Sequence, residues 1–179
     1  TAFIKKYRDE NNIDVGFNFQ DFDKHYLYFL HVAKLIDKKY PGQVIYRPHP
    51  FDDLTFLKEQ LKGSTIEFDD NFSISETLVH CATCIQNSST TGFEALLYDI
   101  PTIIPREVNS NFRSKEIDEM SYILYSDEDI LDHVDLALKK SLPIQEKFMN
   151  ALNSVCRIDA NSSSLIVDIL NPMTFQNKN

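Results

Sequence analysis

The sequence predicts an α/β protein built on a doubly wound parallel sheet, and three observations favour this fold class. Short apolar runs alternate with segments of helical periodicity along most of the chain. These apolar runs are mostly continuous, which is typical of parallel strands covered by helices on both faces. The chain has 179 residues, enough for one domain with a sizeable core. We predict a linker or helix remnant over residues 1–12, the doubly wound domain over residues 13–171, and a tail over residues 172–179.

The predicted strands are short and spaced regularly along the chain. In order they are IDVGFNF (13–19), the VIY of QVIYRPHP (44–46), TIEFDD (65–70), TCIQN (83–87), PTIIP (101–105) and SYILYS (121–126).

The helices between these strands are predicted from apolar periodicity and from capping residues. The helix after residue 19 is expected to start at Asp21 or Asp23 and to stop at Pro41-Gly42. The following helix is expected to start at Asp52 or Asp53 and to stop at Gly63. The further predicted helices are 74–82, opened by Ser73 or Ser75, 88–99, 126–142, 143–159 and 161–170.

Composition and charge exclude several classes of protein. The formal net charge is -9 and the pI about 4.9, which argues against binding of nucleic acid by general phosphate attraction. No apolar window reaches the 18 residues of a membrane span, and the N-terminus lacks the apolar core of a signal peptide. Three cysteines favour a cytosolic protein without a disulfide framework, and the absence of an initial Met leads us to expect a fragment of a longer chain.

Ligands of doubly wound folds bind beyond the carboxyl ends of the strands, and two segments there carry suitable chemistry. The first is NSSTTGFEAL, in which Ser88, Ser89, Thr90 and Thr91 stand where a strand hands over to a helix. Hydroxyls and unpaired N–H groups at a helix start form an anion site. A capping box of Thr91 with Glu94 explains the same residues equally well.

The second segment is RPHP, which ends the strand of residues 44–46. Two prolines fix the backbone around His49, so its imidazole is held at the strand end. Histidine donates hydrogen bonds to phosphate and titrates near neutrality, and Arg47 offers a fork of donors for the same oxygens. A surface histidine in a simple turn is the alternative interpretation.

RPHP followed about forty residues later by NSSTTGFEALLYDIPTI resembles the donor-binding half of a GT-B glycosyltransferase. It is most similar to bacterial enzymes of capsule and lipopolysaccharide assembly: sialyltransferases with an HP motif, Kdo transferases and capsule polysaccharide biosynthesis proteins. The resemblance implies a Rossmann-like domain whose His49 binds the donor phosphate and stabilises it as it leaves. It implies that Ser88, Ser89 and Thr90 bind that phosphate, that Glu94 accepts from ribose hydroxyls, and that Arg47 is a second-rank ligand.

The resemblance also implies partners. The donor would be a CMP- or UDP-linked sugar, bound as substrate without a further cofactor. A glycan or glycolipid acceptor would be held by a preceding domain, so this chain alone is expected to be catalytically incomplete. The full enzyme is expected in the cytoplasm, with peripheral association at the inner face of the membrane. Two other functions stay open: a UDP-sugar 2-epimerase-like domain and a non-catalytic α/β module.

Three further groups of residues have side chains that could carry function. Cys81 and Cys84 have CxxC spacing, but they stand where a helix ends and a strand begins, which favours core thiols. No metal site is predicted, because no second set of convergent ligands accompanies the cysteines or the paired aspartates. Arg106, Arg113 and Lys115, in the long segment after PTIIP, are either ligands for the donor's anionic groups or part of a solvated loop.

Overall fold

The computed structural model describes residues 19–49, 52–69, 73–86, 89–106 and 115–155. These residues form a mixed α/β structure with two small parallel sheets, which confirms the α/β class. Five strands lie in these ranges: β1 (Ile45–Tyr46), β2 (Glu67–Phe68), β3 (Cys84–Ile85), β4 (Thr102–Pro105) and β5 (Tyr122–Leu124). Each coincides with a predicted strand. Of the strand predicted at 13–19, residues 13–18 lie outside the described residues, and Phe19 is helical.

Both sheets are parallel, as the continuous apolar runs predict. β1 pairs with β2, and Ile45 lies opposite Glu67. β4 is the middle strand of the second sheet, with β3 on one side and β5 on the other. Cys84 lies opposite Thr102, and Ile104 opposite Ile123. β4 is buried along its whole length, as expected for a central strand.

Helices connect these strands throughout the described ranges. They are α1 (Phe19–Lys39), α2 (Leu54–Gln60), α3 (Ile74–Leu78), α4 (Thr91–Leu97), α5 (Lys115–Glu119), α6 (Asp127–Leu138) and α7 (Glu146–Val155). α5 was not predicted, because its five residues fall in a segment without apolar periodicity. Residues 161–170, predicted as a helix, lie outside the described residues.

The helix ends test the capping predictions. Asp53 caps α2: its Oδ1 accepts from the N–H groups of Thr55 and Phe56 at 2.9 and 3.1 Å. Gly42 and Gly63 follow α1 and α2 with φ of +71° and +81°, the left-handed conformation that stops a helix. The predicted caps Asp21 and Asp23 are wrong, because α1 already begins at Phe19 and both residues lie inside it.

α1 packs against both sheets and so holds the two halves of the structure together. One side of it buries Leu30 and Ala33 with Tyr46, Leu57 and other residues around β1. Another side buries Val32 and Ile36 in a cluster with residues of β4, β5 and α6. Apolar positions three and four residues apart produce these two stripes, as helical periodicity predicts. α7 covers a third cluster, in which its Phe148 and Leu152 pack against Leu96 and Met120.

Candidate functional site

A cavity of about 1150 Å³ lies between the strand end of β1 and the strand end of β3. The RPHP segment lines it on one side with Arg47, Pro48 and His49. The segment after β3 lines it on the other side, with Gln86 and with the hydroxyl residues Ser89, Thr90 and Thr91. The remaining lining is largely apolar and includes Val32, Ile36, Val44, Ile85 and Val134. The cavity therefore has a polar part, formed by the two segments that follow the strands, and an apolar body.

The backbone of the RPHP segment is held by Asp52. The Asp52 carboxylate accepts from the His49 N–H at 2.8 Å, and the Asp52 N–H donates to the His49 carbonyl at 2.8 Å. Burial raises the pKa of Asp52, and the hydrogen bond from the His49 N–H acts in the opposite direction. The reciprocal pair fixes the position of His49, a solvent-exposed residue at the cavity wall.

Arg47 lines the cavity, but an aspartate balances its charge. Its Nη1 lies 2.9 Å from Oδ2 of Asp69, and its side chain is 29% exposed. Asp69 is buried, and the same carboxylate oxygen accepts from the hydroxyl of Thr77. Buried carboxylates require such partners. The ion pair orients the guanidinium and offsets its charge, which weakens Arg47 as an anion ligand.

The Ser/Thr segment is organised differently from a capping box. The first residue of α4 is Thr91, and the N-cap residue is Thr90, which has helical backbone angles and makes no side-chain capping bond. The predicted box of Thr91 with Glu94 is therefore wrong, because Thr91 already belongs to the helix. Ser89 Oγ accepts from the Thr91 N–H at 3.2 Å and lies 3.1 Å from its hydroxyl. Ser88 lies outside the described residues.

Gln86 fixes the Ser/Thr segment and was missed by the sequence analysis. Its side chain is buried, and Oε1 accepts from the Ser89 N–H at 2.5 Å. Its Nε2 donates at 3.2 Å to Oγ of Ser121, the residue directly before β5. A Cβ on Gly92 would lie 2.8 Å from the same Nε2, so glycine at this position makes room for Gln86. A polar residue directly after an apolar strand is the sequence signal that marks it.

Glu94 lies in the first turn of α4 and is partly buried. It is not among the residues that line the cavity. The structure therefore places Arg47, His49, Ser89 and Thr90 around one cavity, whereas Glu94 does not line it. Its contact with a ribose stays a prediction.

The two described cations of the segment after β4, Arg106 and Lys115, do not line the cavity. Arg106 is 1% exposed, and its two terminal nitrogens donate to the two oxygens of Asp118 at 2.8 and 2.5 Å. Of the two interpretations of Arg106, the solvated loop is wrong because the side chain is buried, and the pair with Asp118 commits the guanidinium to joining α5 to the end of β4. Lys115 is 82% exposed and lies 4.0 Å from Glu119. Arg113 lies outside the described residues.

The two cysteines of the CxxC motif fit a structural role. Both are partly buried, and burial raises the pKa of Cys81 and raises that of Cys84 to about 12. A thiol with a raised pKa carries little of the reactive thiolate at neutral pH. Within the described ranges, no group of three or more His, Cys, Asp or Glu side chains is placed to hold a metal ion.

Comparison of the chain with protein-family models, with curated proteins and with solved structures finds no match. In the part of the chain that the structure describes, no helix combines the length and the apolar character needed to cross a bilayer.

Proposed function

We propose that this chain binds the phosphate of a nucleotide-linked sugar and is the donor-binding domain of a bacterial surface-polysaccharide glycosyltransferase. The observation that carries the proposal is that a single cavity is lined by both candidate segments, with Arg47 and His49 from one and Ser89 and Thr90 from the other. These are also the two motifs on which the resemblance to GT-B enzymes rests. Neither motif alone would justify the assignment.

Three residues of the cavity lining would each donate hydrogen bonds to the departing phosphate. The His49 imidazole, on a backbone fixed by Asp52, donates to a phosphate oxygen and stabilises the charge that develops as the sugar leaves. The Thr90 side chain, which makes no capping bond, donates its hydroxyl from the opposite wall. Arg47 contributes through the N–H groups that Asp69 leaves unused. Pre-positioned donors of this kind act most strongly on charge that appears in the transition state.

The charge of the lining favours a donor with one phosphate. The described lining contains one guanidinium, Arg47, against the three carboxylates Asp52, Asp53 and Glu67. A diphosphate bound without a metal would meet more negative than positive formal charge there. A CMP-linked sugar releases a single phosphate, which one imidazole and a few hydroxyl and N–H donors can serve. A UDP-linked donor is the less favoured alternative.

The proposal extends to the fold. The strand orders β2-β1 and β3-β4-β5 would form the two halves of a doubly wound sheet, in which the strand order reverses between the first and second half. Ligands of such sheets bind in the crevice at this reversal. Residues of both β1 and β3 line the cavity, as expected for a crevice between two such halves. A glycan or glycolipid acceptor would be held by a second domain, in a cytoplasmic enzyme.

A ligand titration tests the proposal. The chain is heated with increasing CMP, UDP or inorganic phosphate, and its melting temperature is recorded. A ligand that binds the folded state raises this temperature with the logarithm of its concentration above Kd. We expect the largest rise with CMP. A larger rise with UDP would shift the assignment to UDP-sugar enzymes, including the 2-epimerase type, and no rise with any of the three would favour a non-catalytic module.

His49→Ala separates the binding role from a structural role. We expect CMP affinity to fall by about 10-fold or more, the effect of losing one hydrogen bond to a charged group, with little change in melting temperature because His49 is exposed. His31→Ala is the matched control: His31 is also exposed, pairs with Asp127 and does not line the cavity. Equal CMP affinity in both variants would remove His49 from the site.

A further inference from the structure

Three buried polar side chains near the Ser/Thr segment are hydrogen-bonded to one another. Six of the described residues have buried polar or charged side chains, and Gln86, Thr102 and Ser121 are three of them. Gln86 Nε2 donates to Ser121 Oγ at 3.2 Å, and the Thr102 hydroxyl lies 2.9 Å from the same oxygen. Burying a polar group costs free energy unless the group is hydrogen-bonded, so these side chains depend on one another for partners.

The Ser121 hydroxyl uses all of its hydrogen-bonding capacity. It donates to the carbonyl of Ile117 in α5 at 3.0 Å. Its oxygen has two acceptor sites, and the groups that approach it are Gln86 Nε2 and the Thr102 hydroxyl. The Thr102 hydroxyl also reaches the Met120 carbonyl, at 2.7 Å. Thr102 therefore has a second acceptor, whereas Gln86 Nε2 relies on the oxygen of Ser121 in this network.

The orientation of the Gln86 amide is fixed from its other end. The Ser89 N–H can only donate, so the Gln86 atom that it meets at 2.5 Å is the amide oxygen. The amide nitrogen is then the atom that faces Ser121. One planar amide joins the two residues, because it accepts from Ser89 with one end and donates to Ser121 with the other. A rotation of the amide that breaks the bond to Ser121 also moves the oxygen that holds Ser89.

Ser121 is itself held by two elements. Its N–H donates to the Asp118 carbonyl of α5 at 3.3 Å, and the Asp118 carboxylate forms the bidentate pair with the buried Arg106. β5 begins directly after Ser121 and pairs with the central strand β4. The far end of the Gln86 amide is therefore tied both to α5 and to the sheet.

We propose that Ser121 is a positioning residue of the candidate site, which acts on Ser89 and Thr90 through the Gln86 amide. Ser121 does not line the cavity, whereas Gln86, Ser89 and Thr90 do. Without an oxygen at residue 121, the buried Gln86 Nε2 loses its acceptor, and the amide turns to find another. The effect on ligand binding rests on the proposed function, but the effect on the Ser/Thr segment does not.

Amide exchange of the full chain tests the positioning role in a matched pair of variants. Ser121→Ala removes the acceptor of Gln86, whereas Thr102→Val removes a buried hydroxyl of the same network and leaves that acceptor in place. We expect both variants to lower the melting temperature by about 3–10 °C. We expect the Ser89 N–H to exchange at least about 10-fold faster in Ser121→Ala than in Thr102→Val. Equal Ser89 exchange in the two variants would overturn the inference.

CMP binding by the same variants separates this inference from the proposed function. We expect the Kd for CMP to rise about 3- to 10-fold in Ser121→Ala and to stay unchanged in Thr102→Val. A wild-type chain that binds no CMP would remove the proposed function, and Ser89 exchange would then decide the positioning role alone. Faster Ser89 exchange with an unchanged Kd would overturn the effect on binding. If Ser121→Ala does not fold, Ser121→Cys replaces it, because a thiol sulfur is a weak acceptor.

Discussion

At the scale of single residues, Gln86 decides where the Ser/Thr segment lies. Its amide oxygen accepts the Ser89 N–H, its amide nitrogen reaches Ser121, and Gly92 leaves the space that the amide occupies. The donor and acceptor groups of a buried amide need hydrogen-bond partners, and here Ser121 and the Ser89 N–H provide them. The hydroxyls that face the cavity are therefore held by a side chain behind them.

A double-mutant cycle at Gly92 and Gln86 tests this arrangement. Gly92→Ala is expected to cost about 1–3 kcal/mol in the free energy of unfolding, because the new Cβ displaces the buried amide. In a Gln86→Ala background the same change is expected to cost less, since the obstructing amide is gone. Urea unfolding measures all four proteins. Additive effects would contradict the contact.

At the scale of elements, the Asp37 carboxylate joins the end of α1 to the connection before β2 by hydrogen bonds. Asp37 is buried and accepts from the Thr65 N–H at 2.9 Å and from the Thr65 hydroxyl at 2.6 Å. Thr65 Oγ1 also accepts from the Gly42 N–H at 2.6 Å, directly after the helix ends. Burial acts to raise the pKa of Asp37, but these hydrogen bonds outweigh it and lower the pKa below its ordinary value of 3.8.

Asp37→Ala tests how much the hydrogen bonds between Asp37 and Thr65 stabilise the fold and how this contribution depends on pH. We expect a loss of about 2–3 kcal/mol at pH 7, where the carboxylate is ionised and bonded. Because the folded-state pKa is lowered, this contribution is present above pH 3.8 and is lost as pH falls through the folded-state pKa. The difference between wild type and variant should therefore shrink at pH 2. Asp132→Ala, at an exposed position of α6, is the control and should change stability little at either pH.

The helix ends show which structural features can be predicted from sequence patterns and which cannot. Gly42, Gly63 and Asp53 end or start their helices as predicted, because each acts through its own backbone or its nearest N–H groups. The predicted caps of α1 lie inside the helix, and among the adjacent hydroxyl residues before α4 it is Thr90, not Thr91, that occupies the N-cap position. A helix boundary set by one residue and its nearest backbone groups can be predicted from the sequence. The sequence does not show which of several similar neighbouring residues will form the cap.

At the scale of the whole molecule, the strand positions and their parallel pairing were predictable, but the long-range partners of polar residues were not. Asp118 pairs with Arg106 across 12 residues, and Ser121 meets Gln86 across 35. Nothing in the spacing of these residues indicates that they meet, so the structural role of Arg106 was not among the two interpretations that the sequence offered. The RPHP and Ser/Thr segments follow parallel strands of the two sheets and line one cavity, which is a common location for ligand-binding loops in α/β proteins.

The central claim is that these two segments share one phosphate, and an amide-resolved titration of the chain with CMP tests it most directly. The account predicts that the backbone resonances of Arg47, His49, Ser89 and Thr90 shift together, along one saturation curve with a single Kd. The resonance of Lys115, an exposed cation that does not line the cavity, should not follow that curve. Shifts at only one of the two segments, or two unrelated curves, would contradict a shared site.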